Sequence, residues 1–230
     1  MKIEKLKDAT KKYDIIYADP AWSYKDKKNN DPAMGGITYD VMELDDIKAM
    51  GEDIKNITNK DSLLFLWVTM PMLREGLEVI EAWGYKYITC AFTWVKLTPS
   101  KTVGGPYGTS QGRDLVMFNG NGQDLHVAHL GENQLDGHGL DIYSGLGHWT
   151  NGNAELCLLA KKGKGVKRVN KNVKQVVLAP RKEHSEKPLE VRERIERLVG
   201  DGEEKTYNKL ELFCRGKSGD TWDDWGNEAE

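Results

Sequence analysis

Residues 13–24 read YDIIYADPAWSY, Tyr13 through Tyr24, and the fold is argued outward from them. Asp14 to Ala18 is a short, mostly apolar run that stops abruptly at Asp19-Pro20. Such a run, ended by a turn pair, predicts a buried strand. Pro20 fixes its own φ and stiffens the turn that follows. Taken alone, Asp19-Pro20-Ala21-Trp22 has two readings: a chemically equipped turn, or an ordinary Asp-Pro turn with a tryptophan packed beside it. Short motifs of this kind also match by chance.

Further along, Ser62 to Val68 (SLLFLWV) predicts a second buried strand. Pro71 suits a helix's first turn, and Leu73, Leu77, Ile80 and Trp83 follow at helical spacing before Gly84 stops the pattern. Ile88 to Leu97 is rich in β-branched and aromatic residues, hence another strand. Ala154 to Ala160, Gln175 to Ala179 and Leu210 to Cys214 predict three more. Lys187 to Val199 predicts an amphipathic helix with Pro188 at its first turn and Leu189, Val191, Ile195 and Leu198 inward. Strands alternating with helices imply an α/β fold, a mixed, mostly parallel sheet with helices on both faces. Ligands in such sheets bind beyond the C-terminal ends of strands, which puts Asp19-Pro20 and Arg215 on one edge.

The chain is read as one domain over residues 1–230 with a Gly-rich insertion at about 98–146. Thr98 to Gly147 holds 11 of the 24 glycines and no sustained period, which marks a functional or partly disordered loop. Charged residues make up 30% and apolar ones 39%, ordinary for a globular protein with a core. The charged start of the chain and the lack of a long apolar run predict no membrane association and a cytoplasmic protein. Cys90, Cys157 and Cys214 are few and far apart, and each lies in a strand-like run, so buried inert thiols are expected. His126, His129 and His138 lie near Asp124, Asp136 and Asp141, but the spacing matches no standard metal site, and no metal is expected. A net charge of −3 excludes a protein that coats nucleic acid indiscriminately. Even so, residues 161–174 carry Lys161, Lys162, Lys164, Lys167, Arg168, Lys171 and Lys174 with no acid among them. That run reads either as a phosphate-binding patch or as a solvated loop.

Four ordered blocks together resemble one family: YDIIYADPAWSY at 13–24, GHWTNGNAELCLLAKKGK at 147–164, EHSEKPLEVRERIERLVGD at 183–201, and KLELFCR at 209–215 continuing into WDDWGNE at 222–228. With SLLFLWV and FTWVK, they resemble the MT-A70 family of adenine-N6 methyltransferases, in particular its bacterial and phage branch. The resemblance implies a Rossmann-like fold that uses S-adenosylmethionine, with the catalytic motif preceding the cofactor-binding strand. Asp19, Pro20, Ala21 and Trp22 correspond to the catalytic tetrapeptide, with Ala21 where relatives most often have a second proline. Lys187 resembles the lysine that pairs with the cofactor's methionine carboxylate, and Glu211 the acid that binds the ribose hydroxyls. Arg215, Asn227 and Glu228 match further cofactor positions, and Asp19 borders the same site. Outside the motif, Lys187 and Arg215 read equally as members of surface salt bridges.

The implied reaction displaces a methyl group onto an adenine amine whose lone pair is delocalised into the ring. The Asp19 carboxylate and the Pro20 carbonyl can accept both amino hydrogens and stabilise the charge that develops. Trp22 can stack on the purine. Tyr24, Asn151, Lys161, Lys162, Lys164, Lys167 and Arg168 are the expected substrate contacts, and Glu155 is open to a site role or a structural one. DNA is the expected polymer, RNA the rival, and a monomer or homodimer the expected assembly. A catalytically inactive nucleic-acid-binding partner subunit is disfavoured because both the tetrapeptide and the cofactor residues survive. A nucleotide hydrolase is disfavoured because no GxxxxGKS/T phosphate loop is present.

Overall fold

The structure, a computed structural model, describes residues 2–24, 41–98, 117–118, 125–126, 142–143, 145, 147, 149–182, 186–200, 206–216 and 218–229. Most of the Gly-rich segment lies outside the described residues, as do His129, His138, Asp124, Asp136 and Asp141 of the histidine–aspartate grouping for which no metal is expected. In chain order the elements are β1 (Tyr13–Ala18), α1 (Leu44–Ala49), α2 (Gly51–Ile57), β2 (Thr58–Thr69), α3 (Leu73–Ala82), β3 (Lys86–Leu97) and the two-residue strands β4 (Met117–Phe118) and β5 (Leu125–His126). There follow β6 (Ala154–Lys162), β7 (Val176–Pro180), α4 (Leu189–Val199), β8 (Lys209–Leu212), β9 (Arg215–Gly216), β10 (Asp223–Trp225) and β11 (Glu228–Ala229).

Seven strands form one sheet in the order β10-β8-β1-β2-β6-β3-β7. All run in one direction except β6, which is antiparallel to both its neighbours. β1 thus lies centrally, and β8, nearly two hundred residues later, pairs directly with it, Tyr17 opposite Glu211. Side chains alternate across a strand, and each face has its own core. Ile16, Ala18, Leu64, Leu66 and Leu158 pack on one side with Ile47, Ile54, Val79 and Ile80 of α1 to α3. Ile15, Tyr17, Phe65, Trp67, Trp94 and Cys157 pack on the other with Val191, Ile195 and Val199 of α4. Helices cover both faces, as the alternation predicts. Among the described residues no helix is long and apolar enough to cross a membrane.

Two local expectations need correction. Leu189 is 51% exposed instead of inward-facing. Two positions separate it from the buried Val191, a rotation of about 200° at 3.6 residues per turn. The inner stripe is instead completed by Arg194, which is buried and donates to the carbonyls of Lys174 and Val176 at 2.7 Å each. The last strand ends at Leu212, not Cys214, because Phe213 turns the backbone into the left-handed region at φ 62°. Beyond it, β10 forms the outer edge of the sheet: Asp223 and Asp224 are buried, Asp223 receiving the Tyr13 hydroxyl and the Lys11 ammonium, each at 2.8 Å. Cys157 and Cys214 are buried as expected, whereas Cys90 is only half-buried.

Candidate active site

The site builds up from positions of the central strands that share the α4 face of the sheet. Asp19 follows β1, Glu155 opens β6 opposite Thr69 and Trp94, and β3 ends just beyond Lys96 on the next residue, Leu97. Because β6 runs against its neighbours, its first residues meet the last residues of β2 and β3. That reversal brings Glu155 to the same edge as Asp19.

Lys187, just before α4, joins them. Its Nζ lies 2.6 Å from Asp19 Oδ2 and 3.3 Å from Glu155 Oε2. Glu155 Oε1 in turn pairs with the Lys96 ammonium. The result is a row of alternating charges, Lys96, Glu155, Lys187, Asp19. The aromatic floor below it carries the Lys187 ammonium 5.6 Å from the Trp67 ring centroid and the Lys96 ammonium 5.2 Å from that of Trp94. Trp67 Nε1 donates to the Tyr17 hydroxyl at 2.7 Å, which fixes that floor. Burial favours the uncharged form of Glu155, but Lys187 and Lys96 outweigh it and hold the carboxyl below its ordinary range. Burial likewise opposes the Lys187 charge, and Asp19 and Glu155 overcome it, so the ammonium stays protonated well above its ordinary range. Asp19 is the member open to solvent, at 31% side-chain exposure against 5% for Glu155 and 9% for Lys187.

The tetrapeptide itself folds as a tight turn. Trp22 N–H donates to the Pro20 carbonyl at 2.9 Å, which sets that carbonyl's direction and leaves its second lone pair. Met42 N–H donates to the Ala21 carbonyl at 2.8 Å. Trp22 departs from expectation: its ring is 4% exposed within the helix-side core, and Nε1 donates to the Trp67 carbonyl at 3.1 Å. A ring so covered anchors the turn; it does not offer a stacking face. Tyr24 is half-buried at the same edge, its hydroxyl 2.8 Å from Thr69 Oγ1.

A second cluster adjoins β1 on the β8 side. Glu211, opposite Tyr17, pairs with Arg192 of α4 at 2.5 Å. Burial pushes the Glu211 carboxyl above its ordinary range, with Arg192 opposing. Among the described residues Arg192 Nε is buried without a hydrogen-bond partner. Beyond it, Arg215 and Glu228 sit opposite each other in the β9–β11 pair, next to the exposed Asn227. Gly226 makes that approach possible, since a Cβ there would lie 2.6 Å from the Cys214 carbonyl oxygen.

The expected substrate lysines are placed elsewhere. Lys161 and Lys162 end β6, so with a rise of about 3.3 Å per residue they stand roughly 20 Å from Glu155, at the opposite edge of the sheet. Lys162 donates there to Thr58 Oγ1 at 3.0 Å, and Lys164 N–H to Asp61 Oδ1 at 2.7 Å. Lys167 and Arg168 are exposed and continue along that far end, where Val169 N–H meets the Leu198 carbonyl at the close of α4. Asn151, exposed just before β6, remains on the catalytic edge. Lys96 and Arg192 went unnoticed in the sequence. The period-2 pattern through Trp94 put Lys96 on this face, but only the strand order reveals its partner.

The family model described as MT-A70 matches residues 13–115 and 127–228, nearly the whole chain. The chain belongs to the MT-A70 family. Between residues 13 and 228 the MT-A70 match skips only residues 116–126, inside the Gly-rich segment. Among curated relatives, the chain is 27% identical over 235 residues to the type II methyltransferase M.MunI of a Mycoplasma species, covering 95% of this chain and 78% of that protein. It is 26% identical to an N(6)-adenosine-methyltransferase MT-A70-like protein of Arabidopsis thaliana, and 25% identical to the N(6)-adenosine-methyltransferase catalytic subunit METTL3 of Homo sapiens. Those matches cover 88% and 89% of this chain but only 22% and 26% of the two relatives.

Proposed function

We propose that this chain transfers a methyl group from S-adenosylmethionine to the N6 amine of adenine in DNA. The observation that carries the reading is Asp19: a partly open carboxylate at the end of the central strand, fixed by a buried lysine and followed by an oriented Pro20 carbonyl. A carboxylate offers about four acceptor sites, so the bond to Lys187 does not exhaust Asp19. Asp19 and the Pro20 carbonyl accept the two amino hydrogens of the target adenine and stabilise positive charge as it develops on N6. Lys187 holds the Asp19 carboxylate in place, and Glu155, supported by Lys96, holds Lys187. Trp22 anchors the turn from beneath.

The donor set fits the cofactor. Its carboxylate would meet the Lys187 ammonium, and its ribose hydroxyls the Glu211–Arg192 pair, whose buried Arg192 Nε is left without a partner among the described residues. Arg215, Asn227 and Glu228 border the same end of β8 and complete the proposed cofactor set. The bound cofactor supplies an activated methyl group. Tyr24 and Asn151 remain the proposed substrate contacts at this edge. The extent of the likeness to the Mycoplasma type II methyltransferase supports DNA over RNA as the polymer.

The test is methyl transfer by the full chain to matched DNA and RNA oligonucleotides, with the products digested to nucleosides and weighed. N6-methyldeoxyadenosine should form at least tenfold faster than its ribose counterpart. Faster transfer to RNA would overturn the polymer, and methylation of another base would overturn the chemistry.

A further inference from the structure

Of the seven tryptophans, five are buried and Trp225 is half-buried, whereas Trp149 is 99% exposed. Single exposed apolar residues are common on proteins. This one differs in how it is held. Gly145 and Gly152 exchange both backbone hydrogen bonds at 3.0 Å, an antiparallel bridge that closes the loop carrying Trp149. At Gly147 the backbone passes close to Thr150: a Cβ there would lie 2.0 Å from the Thr150 carbonyl oxygen. The base of the loop is tied to the catalytic edge, because Lys96 N–H donates to the Asn153 carbonyl at 2.8 Å. Six residues separate Trp149 from Glu155, so at most about 20 Å of chain lies between the ring and the charge row.

A cation stands on the same edge. The Arg181 guanidinium lies 4.5 Å from the Tyr143 ring centroid and donates to its hydroxyl at 2.9 Å. Tyr143 N–H donates to the Lys96 carbonyl and Arg181 N–H to the Leu97 carbonyl, so both sit at the end of β3. A solvated indole and an exposed guanidinium on one edge are the side-chain set that binds single strands, rings stacking on bases and cations tracking phosphates.

We infer that Trp149 is a nucleobase-stacking residue that holds a base flanking the target adenine on the substrate strand. The inference rests on the nucleic-acid reading above. Stacking tolerates any base, so Trp149 adds affinity and register without choosing a sequence, and Asp19 and Pro20 are left to identify the adenine.

The experiment is a coupling measurement by fluorescence anisotropy, using the full chain and a single-stranded DNA oligonucleotide with one central adenine. Trp149→Ala should weaken binding at least fivefold, and Trp149→Phe should recover most of the loss. Replacing each flanking base in turn by an abasic site should reveal one position at which the wild-type chain loses the same factor and Trp149→Ala loses nothing more. Because the ring touches solvent, the thermal midpoint of Trp149→Ala should match that of the wild type. Unchanged oligonucleotide affinity would overturn the inference, as would a loss equal at every flanking position. So would unchanged affinity with a shift from dimer to monomer in sedimentation, which would make the ring a contact with a second copy. Binding is read without methyl transfer, so a wild-type chain that stacks the base yet forms no N6-methyladenine would fault the proposed reaction and leave the stacking intact.

Discussion

Glu155 is the residue on which the site's electrostatics turns. It is buried between two lysines, and removing its charge leaves the Lys96 and Lys187 ammonium groups with no anion between them. Breaking a buried ion pair from one side costs about 3–5 kcal/mol. Glu155→Gln should therefore lower the unfolding free energy in urea by about 3 kcal/mol near neutral pH. The pH dependence has a definite sign. The Glu155 carboxyl is held below its ordinary value, so its contribution is complete above the unfolded pKa of about 4.3 and fades as pH falls through the folded value. Lys187 is held above its ordinary value, so its contribution is complete below about pH 10.4 and fades only as pH rises through the folded value. The gap between wild type and Glu155→Gln should be flat between these limits and shrink on acidification below about pH 4. A gap that persisted unchanged at pH 3 would contradict the pairing. Asp19 and Lys187 were legible in the sequence because each lies within a recognisable block. Lys96 and Arg192 were not. Lys96 reaches a partner 59 residues away, and nothing local separates Arg192 from Arg194 or Arg197 on the same helix. Trp22 was visible as an aromatic beside the turn, but which way its ring faced depended on packing with β2.

Elements with strong periods were the easiest to read. Six strand runs and two helices fall within a few residues of their expected limits, because apolar runs bounded by Gly or Pro leave little choice. α1 and α2 escaped notice since Ile47, Ile54 and Ile57 are their only large buried apolar residues and a junction at Met50-Gly51 interrupts the pattern. Yet these helices carry the right-of-way from β1 to the parallel β2, a connection no hairpin can make. α4 provides the sharpest test of facing. Ile195→Ala should cost about 2–5 kcal/mol in urea unfolding, as for other fully buried aliphatics. Leu189→Ala, on the outer side of the same helix, should cost under about 0.5 kcal/mol. Equal losses would mean that the helix is rotated from the face described.

At the scale of the molecule, the antiparallel β6 decides what meets what. It delivers Glu155 to the catalytic edge and carries Lys161 and Lys162 to the opposite one. Charge along the sequence suggested a substrate-binding run, but strand direction is not legible from charge. Neutralising Lys164, Lys167 and Arg168 together to Gln should therefore leave kcat on a short saturating oligonucleotide within about twofold of wild type; a fall beyond tenfold would show that this run reaches the catalytic edge. The sheet order also explains how the two ends of the chain build one site. β1 leads into the proposed acceptor pair, while α4, β8 and the β9–β11 pair supply the groups proposed to hold the cofactor beside it.

The most direct measurement is methyl transfer by Asp19→Asn, paired with calorimetric titration of S-adenosylmethionine into the same protein. The substitution keeps the shape of the side chain but removes the charge that pairs with Lys187 and is proposed to stabilise the developing cation. Transfer to adenine should fall by at least about a thousandfold, in line with removal of a main electrostatic stabiliser, while cofactor affinity changes by less than about tenfold. Wild-type transfer rates in Asp19→Asn would contradict the assignment of Asp19 as the acceptor for the target amine.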